Sequence, residues 1–474
     1  MRTLFVFFCA VSSLLWMTSC FTLPSSMRPK PEERVLPARD VPAAFVPMTA
    51  TVEEPEHWWK SFNSAELDGL MDSAFGGNLS LAKAWTQLRQ ARAKAKSTAA
   101  DEKLQLNGAL APSTTKIYKE DTGGDSSNLF SAGVTASYEV DLWGRIDAYS
   151  KAAEYEALAS AEDVETTALV LSGEIANTWL DIKAAQEKLA VYKKQITTSR
   201  QSLDLLKRRQ RKGLSAAVDV LQQEQLVAGL ESNVPLMHEI IASSRLELAY
   251  LLGRSSDEDL SISDTGLPEL PALAKGGVPA DLLENRADIR AAWLRLQGQE
   301  WTTTAAKAER LPALRLTGSA TYQSDKVNAL FDNWIANLAA SLTAPLLDGG
   351  RLKAEVVQNQ ALSDEVFLSY RDTVLTAVKE VNDALIQERW KKEYLKRLTA
   401  ENTYALRTLE ETSRRYRNGL SGYLDVLTAV ASQHVVERLV ITAQANLLRN
   451  RVDFYKALGG NSLPSETKMK SEKK

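Results

Sequence analysis

Cysteine is nearly missing from this chain: 474 residues contain two, Cys9 and Cys20, both close to its start. Neither a disulfide framework nor a CxxC metal site can be built from them. Three histidines, His57, His238 and His434, lie far apart with no ligand spacing. No Gly-x-Ser-x-Gly, phosphate loop or HExxH motif occurs, so nothing assembles a nucleophile, a base or a metal centre. An enzyme is therefore the least expected class, and no cofactor or metal is expected. An excess of one charge is missing as well. The 57 basic and 60 acidic residues are interspersed and leave a net charge of −3, which argues against a nucleic-acid partner. Beyond the leader, no helix is expected to be apolar and long enough to cross a bilayer.

What the chain has is a repeat of itself. Gly213-Leu214-Ser215 followed by Val218-Asp219-Val220-Leu221 returns as Gly419-Leu420-Ser421 followed by Leu424-Asp425-Val426-Leu427, 206 residues later (419 − 213). The same shift carries Gly144-Arg145 onto Gly350-Arg351, Ile175 onto Val381, and Leu252-Gly253 onto Leu458-Gly459. The period far exceeds that of a solenoid repeat, so one architecture is built from two long copies.

The leader starts with Met1-Arg2, runs apolar from Leu4 to Trp16 and ends in Met17-Thr18-Ser19-Cys20. This has the length of a secretory signal and not of a membrane span. It resembles a bacterial lipoprotein signal, with residues 1–19 removed and Cys20 acylated; an ordinary signal peptide with an incidental cysteine is the alternative. Residues 20–56 carry Pro24, Pro29, Pro31, Pro37, Pro42, Pro47 and Pro55, which predicts an extended strap. The first structural repeat is read over 57–253, a linker over 254–280, the second repeat over 281–459 and a disordered tail over 460–474.

Each repeat has two textures. From Arg145 to Lys212 there is no proline and one glycine, and from Arg351 to Asn418 neither, with strong helix formers throughout. Such a run reaches ~100 Å as helix. Leu171, Ile175, Trp179, Ile182 and Leu189 place one apolar stripe against a partner helix. Gly213 and Gly419 stop the helices, and return helices follow, giving helical hairpins over 145–252 and 351–458. Pro235 is expected to kink the first return helix. The other texture is strand. From Phe130 to Leu142 every even position is apolar, and Trp334 to Leu346 repeats the pattern. Preceding strands alternate through Leu104, Leu106 and Leu110, and through Leu314, Leu316, Ala320 and Tyr322. This predicts β-hairpins at about 104–142 and 311–347, with polar loops at Glu120–Asn128 and Gln323–Asp332. Alternation of this length fits a transmembrane β-barrel, the alternative being a soluble hairpin packed on a helix. Four strands cannot close, since the smallest such barrels use about eight and lipid tolerates no open edge. Several chains must therefore share one barrel.

At this point the residues resemble the outer-membrane factor family of bacterial efflux and secretion systems, the TolC-like and especially the OprM-like lipoproteins. The motifs that carry the resemblance follow in order along the chain. They are His57-Trp58-Trp59-Lys60-Ser61-Phe62, Asn78-Leu79-Ser80-Leu81, and Tyr138-Glu139-Val140-Asp141-Leu142-Trp143-Gly144-Arg145. Then come Leu283-Glu284-Asn285-Arg286-Ala287-Asp288-Ile289-Arg290, Pro345-Leu346-Leu347-Asp348-Gly349-Gly350-Arg351, and the two Gly-Leu-Ser tips. The resemblance implies a mainly α fold with a membrane β part: a homotrimer whose four strands per protomer close a 12-stranded barrel above a long α-helical barrel. It implies a lipid-anchored place in the outer membrane reaching into the periplasm, with a periplasmic adaptor and an inner-membrane pump of the resistance-nodulation-division type as partners. The function implied is a passive exit channel for drugs or other small solutes. A type I secretion channel, or a soluble periplasmic coiled-coil scaffold, are the other readings.

The resemblance also places a site. Gly144, Gly349 and Gly350 become the kinks where strand turns into helix. Gly213, Leu214, Ser215, Gly419, Leu420 and Ser421 become the tips that dock the adaptor. Asp219 and Asp425 match aspartates lining a periplasmic constriction, and Arg414, Tyr416 and Arg417 become bridges between helices. The same two acids equally suit the first turn of a return helix. Glu139 and Asp141 are expected to project into the lumen, or to be charges at a wet strand end.

Overall fold

The computed structural model describes residues 36–37, 39–45, 57–119, 123–257, 260–273 and 279–460. Cys20 with its leader, most of the proline-rich strap and nearly all of the tail lie outside them. Within the first repeat, α1 (Ala65–Gly77) and α2 (Leu79–Ala99) lead to β1 (Gln105–Lys119) and β2 (Gly123–Val140). Then follow the long α3 (Arg145–Arg211) and its return, α4 (Ala217–Glu231) with α5 (Asn233–Leu251). The second repeat runs through α6 (Ala287–Ala308), β3 (Ala313–Ser324), β4 (Trp334–Thr343), α7 (Arg351–Arg417) and α8 (Tyr423–Leu458). The chain forms two compact units, one of Gln87–Ala161 with Ala291–Arg371, the other of Pro37–Thr86, Glu162–Arg290 and the chain from Asp372 onward.

The first unit holds the sheet. Its order is β1-β2-β3-β4, antiparallel throughout. The register puts Leu106, Ala136, Gly318 and Leu338 in one cross-strand row, and Leu110, Ala132, Tyr322 and Trp334 in another. Residues opposite one another share a face, so the apolar positions of all four strands form one continuous surface. Leu106, Leu110, Leu338 and Leu342 are exposed on it. The intervening rows are Asn107, Thr135, Ser319 and Asn337, and Gln105, Ser137, Thr317 and Ala339. Ile335, opposite Thr321, Leu129, opposite Ser113, and Ile117, opposite Asp125, are large apolar exceptions on that face. Both β1 and β4 keep an edge unpaired among the described residues. One expectation needs correction. The stretch expected as a loop, Glu120–Asn128, is mostly strand, because the ladder continues to the pair Lys119 and Gly123. Backbone pairing overrides the polar, turn-like composition there.

In the second unit the opening segment plugs the helices. Trp58 is fully buried, stacks on Tyr455 at 5.8 Å and donates Nε1–H to Ser172 Oγ at 3.2 Å. Gly173 explains itself by its neighbour: a Cβ there would lie 2.3 Å from Lys456 Cδ, so the lysine stem crosses α3 at the glycine. The first return helix is interrupted beside its proline: α4 ends at Glu231, and α5 begins at Asn233, two residues before Pro235. Proline cannot donate the bond that residue 235 would make to the carbonyl of Glu231. Described parts of the linker are tied to the helices. Lys183 Nζ donates to Ser263 O at 2.7 Å and pairs with Glu66 at 3.0 Å, and Glu187 accepts the Leu267 amide at 2.9 Å.

The repeat is visible in individual hydrogen bonds. Leu214 N–H bonds to Arg209 O and Gly213 N–H to Gln210 O, and 206 residues on Leu420 bonds to Arg415 O and Gly419 to Tyr416 O. The ends of the return helices do the same: Arg254 to Ala249 O with Gly253 to Tyr250 O, then Gly460 to Tyr455 O with Gly459 to Lys456 O. All four are Schellman endings, and Gly213, Gly253, Gly419 and Gly459 all have φ between 70° and 87°. Asn78 Nδ2 donates to Leu251 O at 2.8 Å, and Arg286 Nη1 does so to the equivalent Ala457 O at 3.0 Å. At this position the two copies use different side chains for one task.

The expectation about apolar helices also needs correction, since α8 contains a stretch of mean hydropathy 1.2, enough by composition to cross a membrane. It is instead a packed helix. Ala443, Leu447, Asn450, Arg451, Val452 and Phe454 are buried on it, and Gln195 of α3 donates to Glu437 at 2.8 Å and accepts from Arg438 at 2.5 Å. His434 lies in this polar layer. Burial, reinforced by Arg438 and opposed by Glu437, lowers its pKa to about 4. Because the folded value lies below the unfolded one near 6.5, the neutral ring's contribution is complete above that pH and is lost as pH falls toward 4. The drop in melting temperature between pH 7 and pH 4 is expected to be smaller in His434→Gln than in the native chain. Identical drops in the two proteins would refute the assignment.

Candidate functional site

The two helical tips meet inside the second unit. Leu206 of α3, Val220 of α4, and Tyr423 and Val426 of α8 form one buried cluster, against which Leu203, Tyr416, Leu427 and Val430 pack. Tyr416 meets Tyr423 edge-on at 5.5 Å, and the Arg209 guanidinium lies 5.2 Å from the Tyr416 ring. A buried polar strut runs through the cluster. Tyr423 Oη donates to Gln223 Oε1 at 2.6 Å, and Gln223 Nε2 donates to Ser199 O at 2.8 Å. Burial first, then Tyr416 and Asp219, push the Tyr423 phenol up to about 12, so it remains a donor. The strut was not expected from sequence, yet a signal existed. The repeat puts Ala217 opposite Tyr423 and Ala429 opposite Gln223, so both members are departures from the shared pattern.

The two aspartates differ. Asp219 is half-buried; its Oδ2 accepts from Ser215 Oγ at 2.8 Å and from the Ala216 amide at 3.2 Å. It therefore closes the first turn of α4, satisfying an amide that the helix start leaves free. Asp425 is exposed and makes no hydrogen bond or ion pair among the described residues, and the hydroxyl of Ser421 is buried without a partner. Two equivalent Ser-Asp pairs are thus one engaged and one open. Arg414 is exposed and paired with Glu411 at 2.7 Å, while Arg417 reaches only the Ser413 carbonyl at 3.3 Å. Leu214 and Leu420, at the turns, are exposed.

At the junctions of strand and helix, Gly144, Gly349 and Gly350 all have positive φ, at 65°, 67° and 86°. Non-glycine residues adopt this region at a steric cost, so glycine suits the change of direction. Asp348 caps α7, accepting the Gly350 and Leu352 amides at 2.9 Å each. Asp141 is not a free charge on the sheet face. Its Oδ2 accepts the Asp147 amide at 2.9 Å, capping α3. Glu139 lies between Arg145 at 2.7 Å and Arg315 at 3.1 Å, and Trp143 Nε1 donates to Pro312 O at 2.8 Å. Both acids clamp the junction, because guanidinium and amide donors lie within reach.

The chain is similar to known proteins in sequence and in fold. A sequence model for the outer membrane efflux protein family matches residues 70–254 and 278–460, one stretch in each repeat. The chain is 31% identical over 428 residues to the pyoverdine export outer membrane protein OpmQ of Pseudomonas putida, covering 85% of this chain and 88% of that protein. It is 30% identical over 417 residues to the outer membrane protein OprJ of Pseudomonas aeruginosa, covering 85% and 86%. Among solved structures, the outer-membrane channel OprN has a TM-score of 0.85, covering 94% of this chain and 100% of that one at 24% identity, a likeness of fold.

Proposed function

We propose a function from one premise: this chain belongs to the outer membrane efflux protein family. It is the outer-membrane exit channel of an efflux system. The finer reading is a homotrimer, lipid-anchored at Cys20, in which three four-stranded sheets close a 12-stranded barrel. A periplasmic adaptor docks at the tips around Gly213 and Gly419, and an inner-membrane pump of the resistance-nodulation-division type supplies the energy. Conduction itself is passive and needs no catalytic group.

One observation carries this reading: a sheet with one continuous apolar face, one mainly polar face and two edges unpaired among the described residues. In hydrocarbon each orphaned backbone group costs several kcal/mol, and closure with further strands removes that cost. The polar face then lines water. The periplasmic gate is assigned to Asp219, Asp425, Arg414, Tyr416 and Arg417. Asp425 and Arg417 are its adjustable part, because neither is committed to a side-chain partner among the described residues.

Replacing both, as Asp425→Ala with Arg417→Ala, is expected to raise the open probability in planar bilayers on the order of tenfold. Three exposed links lost at roughly 0.5 kcal/mol each would supply that factor. Uptake of a large antibiotic by cells should rise in parallel. Unchanged conductance and uptake would remove these residues from the gate.

A further inference from the structure

The two β-hairpins end differently. β3 and β4 finish their ladder at Tyr322 with Trp334, and Phe331 of the connecting loop packs edge-on against Tyr322 at 5.3 Å. β1 and β2 share a last row with β3 at Pro112, Phe130 and Ser324, then pair for seven rows more, from Ser113 with Leu129 to Lys119 with Gly123. At about 3.3 Å per residue, this two-stranded ribbon extends ~23 Å beyond its neighbour. Length also sets where it lies. The apolar face runs from the row of Val140, Leu314 and Leu342 to that of Pro112 and Phe130, ten residues or ~33 Å along the strand. Tilted by about 35–45°, as barrel strands are, it is about 25 Å tall, the height of an outer-membrane apolar band. Tyr322, Phe331 and Trp334 are exposed at its far end, where aromatic side chains mark the boundary with the headgroups.

On the ribbon the same face changes chemistry. Its rows are Thr114 with Asn128, Lys116 with Ser126 and Tyr118 with Gly124. Lys116 is exposed and forms no ion pair among the described residues, and Tyr118 is 88% exposed. Thr114 Oγ1 donates to Asn128 Oδ1 at 3.0 Å, which holds the amide and leaves its Nδ2–H donors for an outside acceptor. The neighbouring acids lie elsewhere. Asp125 pairs with Ile117 and so belongs to the other face. Asp325 and Asp332 belong to the loop after β3, two strands or ~10 Å across the sheet from β1.

On the barrel reading above, we propose that this outward strip of the ribbon seats anionic phosphate groups of lipid headgroups in the outer leaflet. Lys116 lies four residues beyond Pro112, ~13 Å along the strand and about 10 Å above the apolar band. Headgroups fill roughly the first 5–8 Å there, so an ammonium on its flexible stem reaches down to their phosphates. Asn128 offers its amide donors below that level, and Tyr118 its hydroxyl above it. A soluble protein partner is disfavoured, because Tyr118 is the strip's one large side chain with apolar surface, too little for a specific protein interface.

The test titrates the full-length protein in detergent with lipid A and with dephosphorylated lipid A, and reads retained lipid by native mass spectrometry. The phosphorylated form is expected to bind more tightly. Lys116→Gln should weaken its binding about fivefold, the worth of one lysine at an anionic surface. Ser126→Lys, on the same face, should strengthen it about fivefold, whereas Ser127→Lys, its neighbour on the other face, should leave it unchanged. All three positions are exposed, so the variants should fold, and the connecting acids Glu120 and Asp121 are common to all of them and cancel. Equal binding of the two lipids, or equal gains from Ser126→Lys and Ser127→Lys, overturns the proposal. Displacement of lipid A by millimolar inorganic phosphate does so too, since the strip would then be a free-anion site. The two readings fail separately: a protein that needs detergent but ignores the phosphate refutes the strip alone, whereas one that stays soluble without detergent refutes the barrel.

Discussion

Replacing Arg451 by methionine is expected to destabilise the protein by about 3–5 kcal/mol, the cost of leaving a buried charge without its partner. Arg451 and Glu388 are each only 2% exposed, and the guanidinium donates to the Glu388 carboxylate and to the Pro271 carbonyl. Asn450 Nδ2 completes the cage, donating to Ala384 O at 3.0 Å and to Glu388 Oε2 at 3.3 Å. The arginine therefore joins α7, α8 and the linker at one point. Removing it strands the carboxylate where water cannot reach. The double variant Arg451→Met with Glu388→Leu should regain most of the loss, since buried pairs are often replaceable by apolar residues of similar volume. It should not regain all, because the Pro271 carbonyl stays unsatisfied. Thermal melting followed by circular dichroism in detergent decides the matter. A double variant as unstable as the single one would show that volume, and not charge, is what the site needs.

A second large effect is expected at Gly253. Its φ is +73°, and a Cβ there would stand 2.1 Å from the carbonyl oxygen of Gly77. Backbone cannot swing aside as a lysine tip can. Gly253→Ala should thus cost about 3–5 kcal/mol, from left-handed strain added to a clash between two segments. Gly459, its equivalent, would place a Cβ 2.9 Å from Arg286 Cγ and 3.0 Å from Asn285 O, an intermediate case. Gly419 has φ +73° too, but nothing lies within 4 Å of its would-be Cβ. There alanine should cost only about 1–2 kcal/mol. The melting temperatures should rank Gly253→Ala lowest, then Gly459→Ala, then Gly419→Ala. A Gly419 variant as damaged as the Gly253 variant would mean that φ alone, and not the close approach, sets the cost.

These cases mark what could be read from the amino acids. The strands and hairpins were legible because their signals are local: alternation along Phe130–Leu142, helix formers from Arg145 onward, and glycine at each stop. The family was legible because several short motifs kept their order. Pairings through space were not legible. Tyr423 finds Gln223 across 200 residues of chain and Arg451 finds Glu388 across 63, and no periodicity announces either. The partner of Asp141 was not legible for a related reason. Its alternation assigns it to a face, but the strand ends one residue earlier and the carboxylate turns to the α3 amides. The ladder from Lys119 to Gly123 was missed because pairing can carry polar residues that composition assigns to a loop.

The free margins of β1 and β4 have a consequence for biogenesis. On the homotrimeric reading proposed above, a solitary polypeptide entering lipid would carry two rows of unsatisfied amides and carbonyls with it, so the joined ring, and not the single subunit, would be the species that crosses into the bilayer. Arrival in the membrane should then rise more steeply than linearly with subunit supply. A co-expressed copy unable to offer one margin should poison its native siblings out of proportion to its share.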